Sequence, residues 1–193
     1  MSPLEFADQN NGIFSAAQAH KAGILHARLS ESLKRGELER VMRGIYCAAG
    51  TWPDEYAAAC LRFPKGVLSH NTALHLHNLT DRTPDRVTMT FPWTYNASAA
   101  RAEGVDVRSC AQEVMNLGAS TVETPMGNTV RAFNVERTLC DLFRGRATID
   151  LQVTIPALKT YLSSPAPDIN KLLRYASQLN VLTKLRPYLE ALS

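Results

Sequence analysis

The sequence predicts an α+β protein in two parts, and three observations carry that expectation. Residues 1–50 read as short helices followed by a tight basic hairpin, the middle of the chain mixes helical and β-branched segments, and the chain from Asp150 onward is helical. The 193 residues are 45% hydrophobic and 20% charged, which supplies at least one core and argues against disorder as the main state. Ten glycines and ten prolines exclude collagen-like and low-complexity chains.

A short helix is expected over 4–10, ended by Asn11 and Gly12, because both accept the left-handed conformation that closes helices. Ile13 and Phe14 then step into Ser15, whose hydroxyl caps a helix over 16–22, and Gly23 closes it. Over 25–35 leucine recurs every fourth residue, so Leu25, Leu29 and Leu33 are expected to form one buried stripe. At 100° per residue Ala27, Ser30, Glu31, Lys34 and Arg35 turn away from it, with His26 and Arg28 on the flanks. Gly36 ends this helix. The apolar-rich runs 38–41 and 45–48 read as strands joined through Met42, Arg43 and Gly44.

Helix, short helix, glycine turn, second helix and a hairpin with a basic tip is the layout of a winged helix-turn-helix. That domain places the second helix of its pair in the major groove and lays cations of its wing on phosphate. On this reading Arg28, Ser30, Lys34 and Arg35 face the groove with His26 beside them, and Arg40 and Arg43 belong to the wing. Gln18 and Lys21, near the turn, hold the DNA backbone. The whole chain carries a formal charge of only +3, so bulk charge does not decide, but from Ser15 to Cys47 six cations face only Glu31, Glu37 and Glu39. The other reading is a small helical domain with a solvated charged face. Glu31 on the outward face counts slightly against DNA binding: it can accept from cytosine but also repels phosphate.

Thr51, Trp52 and Pro53 mark the expected boundary, giving a winged helix-turn-helix domain over 1–50 and a second, mixed α/β domain over 54–193 with a helical C-terminal end. Pro53 suits the first turn of a helix over 54–63, and Ser69 is expected to cap a helix over 70–78 with Ala73, Leu74 and His77 on one face. Strands are expected over 86–91 and 105–108, then a hairpin of 122–124 and 129–133 around Pro125-Met126-Gly127-Asn128. Asn134 caps a helix over 135–144 whose inner face is Val135, Leu139, Leu142 and Phe143. Helices over 151–162, 168–179 and 181–189 complete the chain.

Four segments have a family look. FSAAQAHKAGI and LKRGELERVMRGIY in the first part, and GVLSHNTALHLHNL and FNVERTLCDLFRG in the second, are similar in order and spacing to the AbiEi-type antitoxins of bacterial type IV toxin–antitoxin systems. The resemblance implies an antitoxin that represses its own operon by binding double-stranded DNA repeats in the promoter. Its second domain counteracts a co-encoded nucleotidyltransferase-like toxin. The DNA contacts would fall on Arg28, Ser30, Lys34, Arg35, Arg40 and Arg43. The alternative is a plain winged-helix regulator whose second domain senses a ligand or dimerises.

Other chemistry finds less support. His70, His75 and His77 are candidates for a metal site, but His75 points to another side and no cysteine pair completes the set. Glu136, Arg137 and Asp141 could serve a hydrolase, or could be a dipole-complementing Glu and a surface i,i+4 pair. Cys140 could be a nucleophile or inert filling, and Trp52 and Trp93 could stack on bases or pack a boundary. No phosphate-binding glycine loop or nucleophile elbow is present, so no enzyme activity and no cofactor are expected. The scattered cysteines Cys47, Cys60, Cys110 and Cys140, with no signal peptide and no long apolar run, point to the cytoplasm and away from the membrane.

Overall fold

The computed structural model describes residues 1–144 and 149–192, so Gly145, the last residue of the FNVERTLCDLFRG segment, lies outside the described residues. The chain forms two compact units. One comprises Met1–Lys65 and Glu123–Val130; the other comprises Gly66–Val122 and the chain from Arg131 onward. The fold is α+β.

In the first unit the order is α1 (Pro3–Gln9), β1 (Ile13–Ser15), α2 (Ala16–Lys21), α3 (His26–Lys34), β2 (Leu38–Met42), β3 (Ile45–Ala48) and α4 (Glu55–Arg62). This is the order of a winged helix-turn-helix with one strand the sequence did not suggest. Ile13 and Phe14, expected only as an apolar step, pair antiparallel with β3, Phe14 opposite Tyr46, to give a sheet of order β1-β3-β2. The pairing buries Phe14 against Phe6, edge-on at 5.2 Å, and against Tyr46 at 5.8 Å. Ala19, Ile24, Leu29 and Leu38 close the same core.

Caps set the helix starts. Ser2 and Glu5 exchange hydrogen bonds in a capping box at α1, and Ser15 and Gln18 do the same at α2, each cap contributing about 1 kcal/mol. Gly23, at φ +82°, makes the turn between α2 and α3, where a side chain would be strained. Leu25 departs from the expected stripe: it is the N-cap of α3, outside the helical periodicity, and 63% exposed. Leu29 and Ser32 are buried instead, with Leu33 partly so. Pro53 likewise falls outside its helix, because Asp54 is the N-cap of α4 and accepts from the Tyr56 and Ala57 amides.

Asp54 has a second task. It is buried, and its Oδ2 accepts from Thr124 Oγ1 at 2.5 Å and Asn128 Nδ2 at 2.9 Å, while Asn11 Nδ2 donates to the Gly127 carbonyl at 2.9 Å. These bonds seat the tip of a distant hairpin in the first unit.

The second unit is built on a five-stranded mixed sheet of order β6-β5-β4-β8-β7, from β4 (Val67–Leu68), β5 (Thr88–Pro92), β6 (Asp106–Cys110), β7 (Ala119–Glu123) and β8 (Thr129–Phe133). β4 runs antiparallel to β5 and parallel to β8, and β5 runs parallel to β6. Its helices are α5 (His70–Leu76), α6 (Ser98–Ala102), α7 (Val135–Asp141), α8 (Leu151–Leu162), α9 (Ile169–Gln178) and α10 (Leu182–Leu192). Leu74, Leu139, Phe143, Leu158, Leu172 and Leu185 centre their shared core.

Two expectations change here. Ser69 stands at the N-cap position of α5 without capping it, because its Oγ receives the Thr90 hydroxyl at 2.8 Å and meets His70 Nδ1 at 3.1 Å. Arg137 and Asp141, expected as a surface pair, are both buried, because α7 lies among α5, α8 and α9 and exposes almost none of its circumference.

Candidate DNA-binding surface

The surface is made by α3 and the wing, and the way α3 is built decides which side chains reach outward. Leu29 turns into the core, so Ala27, Glu31 and Lys34 centre the opposite, exposed face. Ser30 lies half-buried on one side of that face, its hydroxyl 3.4 Å from His26 Nδ1. Arg28 and Arg35 lie on the other side.

These cations are not equivalent. Arg28 Nη1 donates to the Met1 carbonyl at 3.4 Å, which leans the chain's first residues against α3. Arg35 is paired with Glu31, one turn back, and its Nη1 is 3.8 Å from Glu37. Lys34 is exposed, and no ion pair to it occurs among the described residues. The same holds for Lys21 at the end of α2 and for Arg43 at the wing tip, where Gly44 at φ +77° closes the two-residue turn. Arg40, on β2, lies over the Tyr46 ring with its guanidinium carbon 5.9 Å from the centroid. Gln18 is committed: its Oε1 accepts from the Ser15 amide at 2.8 Å and the Ser15 hydroxyl at 2.9 Å.

The nine candidates therefore occupy one helix-turn-helix and its wing, but of their cations only Lys21, Lys34 and Arg43 have no side-chain hydrogen bond, ion pair or ring contact among the described residues. The sequence reading missed Glu37 as a partner of Arg35. The i,i+4 spacing of Glu31 and Arg35 was the available signal for the other half of that arrangement.

Several of the remaining candidates are held in packed surroundings. His77 Nε2 lies 2.7 Å from the Phe133 carbonyl, and no group of three His, Cys, Asp or Glu side chains suited to a metal ion occurs among the described residues. Burial holds His70 below the ordinary imidazole value against the opposing pull of Asp141. Glu136 receives Lys171 at 2.9 Å and the Tyr161 hydroxyl at 3.4 Å, and burial, with Glu136 close by, pushes that phenol well up. Burial, then the adjacent Asp141 carboxylate, pushes the Cys140 thiol up to about 12. Thiolate is the reactive form, so Cys140 is expected to stay unmodified when native protein is treated with iodoacetamide at pH 8 and to react fully in denaturant. Peptide mass mapping of both samples checks this. Trp52 and Trp93 are 89% and 71% exposed and so pack neither unit's core.

The helix-turn-helix and the three-stranded wing sheet define the N-terminal unit as a winged helix-turn-helix fold. Residues 1–49 match the family model described as "Transcriptional regulator, AbiEi antitoxin", in agreement with the resemblance carried by the first two motifs. Among solved structures the chain is similar to the RV2827C protein from Mycobacterium tuberculosis, with a TM-score of 0.59 at 15% identity, over 90% of this chain and 69% of that one. At that identity the likeness is one of fold. No curated protein matches the chain. Among the described residues no helix is long and apolar enough to cross a membrane.

Proposed function

We propose that the protein is a cytoplasmic type IV antitoxin that binds repeats in its own promoter as an autorepressor and counteracts a nucleotidyltransferase-like toxin, with no enzymatic activity and no cofactor of its own. Residues 1–50 read DNA and residues 54–193 carry the antitoxin role. The observation that supports the DNA half best is the set of exposed, unengaged cations at Lys21, Lys34 and Arg43 on an AbiEi-like winged helix. α3 enters the major groove, the Arg43 wing tip lies on an adjacent phosphate, and Lys21 meets the backbone near the turn. Gln18, with its oxygen held in the cap, contributes through its amide nitrogen.

Affinity on this reading comes from counterion release and falls as salt rises. Lys34→Ala and Arg43→Ala are each expected to weaken binding to the protein's own promoter across all sequence variants and to reduce the slope of log K against log salt by about one. Fluorescence anisotropy over a salt series checks both, and unchanged affinity in both variants would refute the placement of α3 and the wing.

The family match ends at residue 49, which favours keeping one second reading in play: a plain regulator whose second unit senses a ligand or dimerises. Co-expression with a neighbouring nucleotidyltransferase-like gene separates the two. Rescue of growth supports the antitoxin, and failure to rescue supports the regulator.

A further inference from the structure

Which base pairs this surface selects is written in the one ion cluster on α3, an inference that rests on the DNA-binding reading above. By helical geometry Glu31 belongs near the middle of the outer face and Arg35 at its edge. The Arg35 guanidinium is tied to that middle position: its Nη2 donates to Glu31, Glu37 Oε1 lies 3.8 Å from Nη1, and the three side chains line a shallow cleft with Arg28 and Ser2. Both members of the pair remain well exposed, the Arg35 side chain at 61% and the Glu31 side chain at 58%.

Three uses of such a pair compete. As a brace for the fold it does little, since exposed ion pairs contribute weakly. As a phosphate contact it is poorly designed, because Arg35 would carry two carboxylates toward an anionic backbone. As a reader of base edges it is well matched. Each terminal guanidinium nitrogen carries two hydrogens, so Nη2 can bond Glu31 and still donate outward together with Nη1, and Glu31 keeps a second oxygen as acceptor. Guanine offers O6 and N7 as paired acceptors and its cytosine partner offers the N4 amine, so the couple presents the complement of a G·C pair in the major groove.

We propose that Glu31 and Arg35 act together as a base-reading couple that selects a G·C pair in each DNA repeat. The couple is neutral as a unit, so it supplies sequence choice, while Lys34 and Arg43 supply phosphate affinity.

The test uses the full chain and a pool of randomised duplexes, bound at low salt, recovered and sequenced, with wild type, Glu31→Gln, Arg35→Gln and Lys34→Gln compared. Wild type should show one position with a strong G·C preference. Arg35→Gln should lose that preference by about ten- to a hundredfold with little change in salt slope. Glu31→Gln should also lose discrimination, yet bind random duplex more tightly because an anion has left the interface. Lys34→Gln should keep the preference and lose about one in slope. Uniform weakening by Arg35→Gln with a reduced slope would make Arg35 a phosphate contact and overturn the proposal, as would an intact G·C preference in Glu31→Gln. Absence of any duplex binding by wild type would instead fail the DNA-binding reading itself. All three positions are exposed, so circular dichroism should report an unchanged fold.

Discussion

Arg137→Leu is expected to destabilise the second unit by about 4 kcal/mol, read as a fall in the denaturant midpoint. Arg137 is fully buried. Its Nε donates to Asp141 at 3.1 Å, its Nη1 donates to the Val114 and Leu117 carbonyls at 2.6 and 2.7 Å, and its guanidinium carbon sits 4.1 Å from the centre of the Phe133 ring. Leucine fills part of the volume but leaves both carbonyls without this donor, and leaves the buried Asp141 charge, among the described residues, to Arg144. Lysine should rescue little, because a point charge cannot reproduce a planar fork that reaches a carboxylate and two carbonyls at once. The double variant Arg137→Leu with Asp141→Leu should lose clearly less than the two single losses combined, since it removes the stranded charge. Additive losses, or an unchanged midpoint in the single variant, would show that the pair is not what secures α7. Gly118 belongs to the same arrangement: at φ +73°, a Cβ there would lie 2.5 Å from the Arg137 Cβ.

Asp54→Ala is the second large effect, about 3 kcal/mol on the first unit. One carboxylate oxygen caps α4 and the other receives buried Thr124 and half-buried Asn128, so alanine removes a helix cap and two hydrogen-bond partners in one step. Asp54→Asn should cost less, because its amide oxygen can still serve the cap while its NH2 group faces donors on the other side. Thermal melts followed by circular dichroism check the order Asp, Asn, Ala. Equal midpoints for all three would mean that the hairpin tip is seated by other contacts.

The parts of this fold that were legible beforehand are those governed by local physics. Gly23, Gly36 and Gly44 mark turns because the left-handed backbone there has few other occupants, and Ser15, Asn134 and Asp168 mark helix starts because their side chains take up a free amide. The illegible parts depend on partners far away in sequence. Nothing near Ile13 and Phe14 announces that Ile45–Ala48 will pair with them. Ser69 looks like a cap, and only Thr90, twenty-one residues on, diverts its hydroxyl. Arg137 and Asp141 have the spacing of a surface pair whether or not other helices cover them. At the candidate surface, residue types and periodicity assigned the nine candidates to α2, α3 and the wing, the elements on which the structure carries them. What they could not show was which cations the protein's own carboxylates and carbonyls already hold, and this separates Lys34 and Arg43 from Arg35 and Arg28.

The seating of Thr124 and Asn128 against Asp54 makes the regulator half discontinuous along the gene. A ribosome has extruded the helices and wing of that half long before it reaches the hairpin, so one oxygen of Asp54 waits unmet through dozens of codons. That unit is therefore finished only after the hairpin of β7 and β8 has been made, more than sixty residues downstream of Asp54.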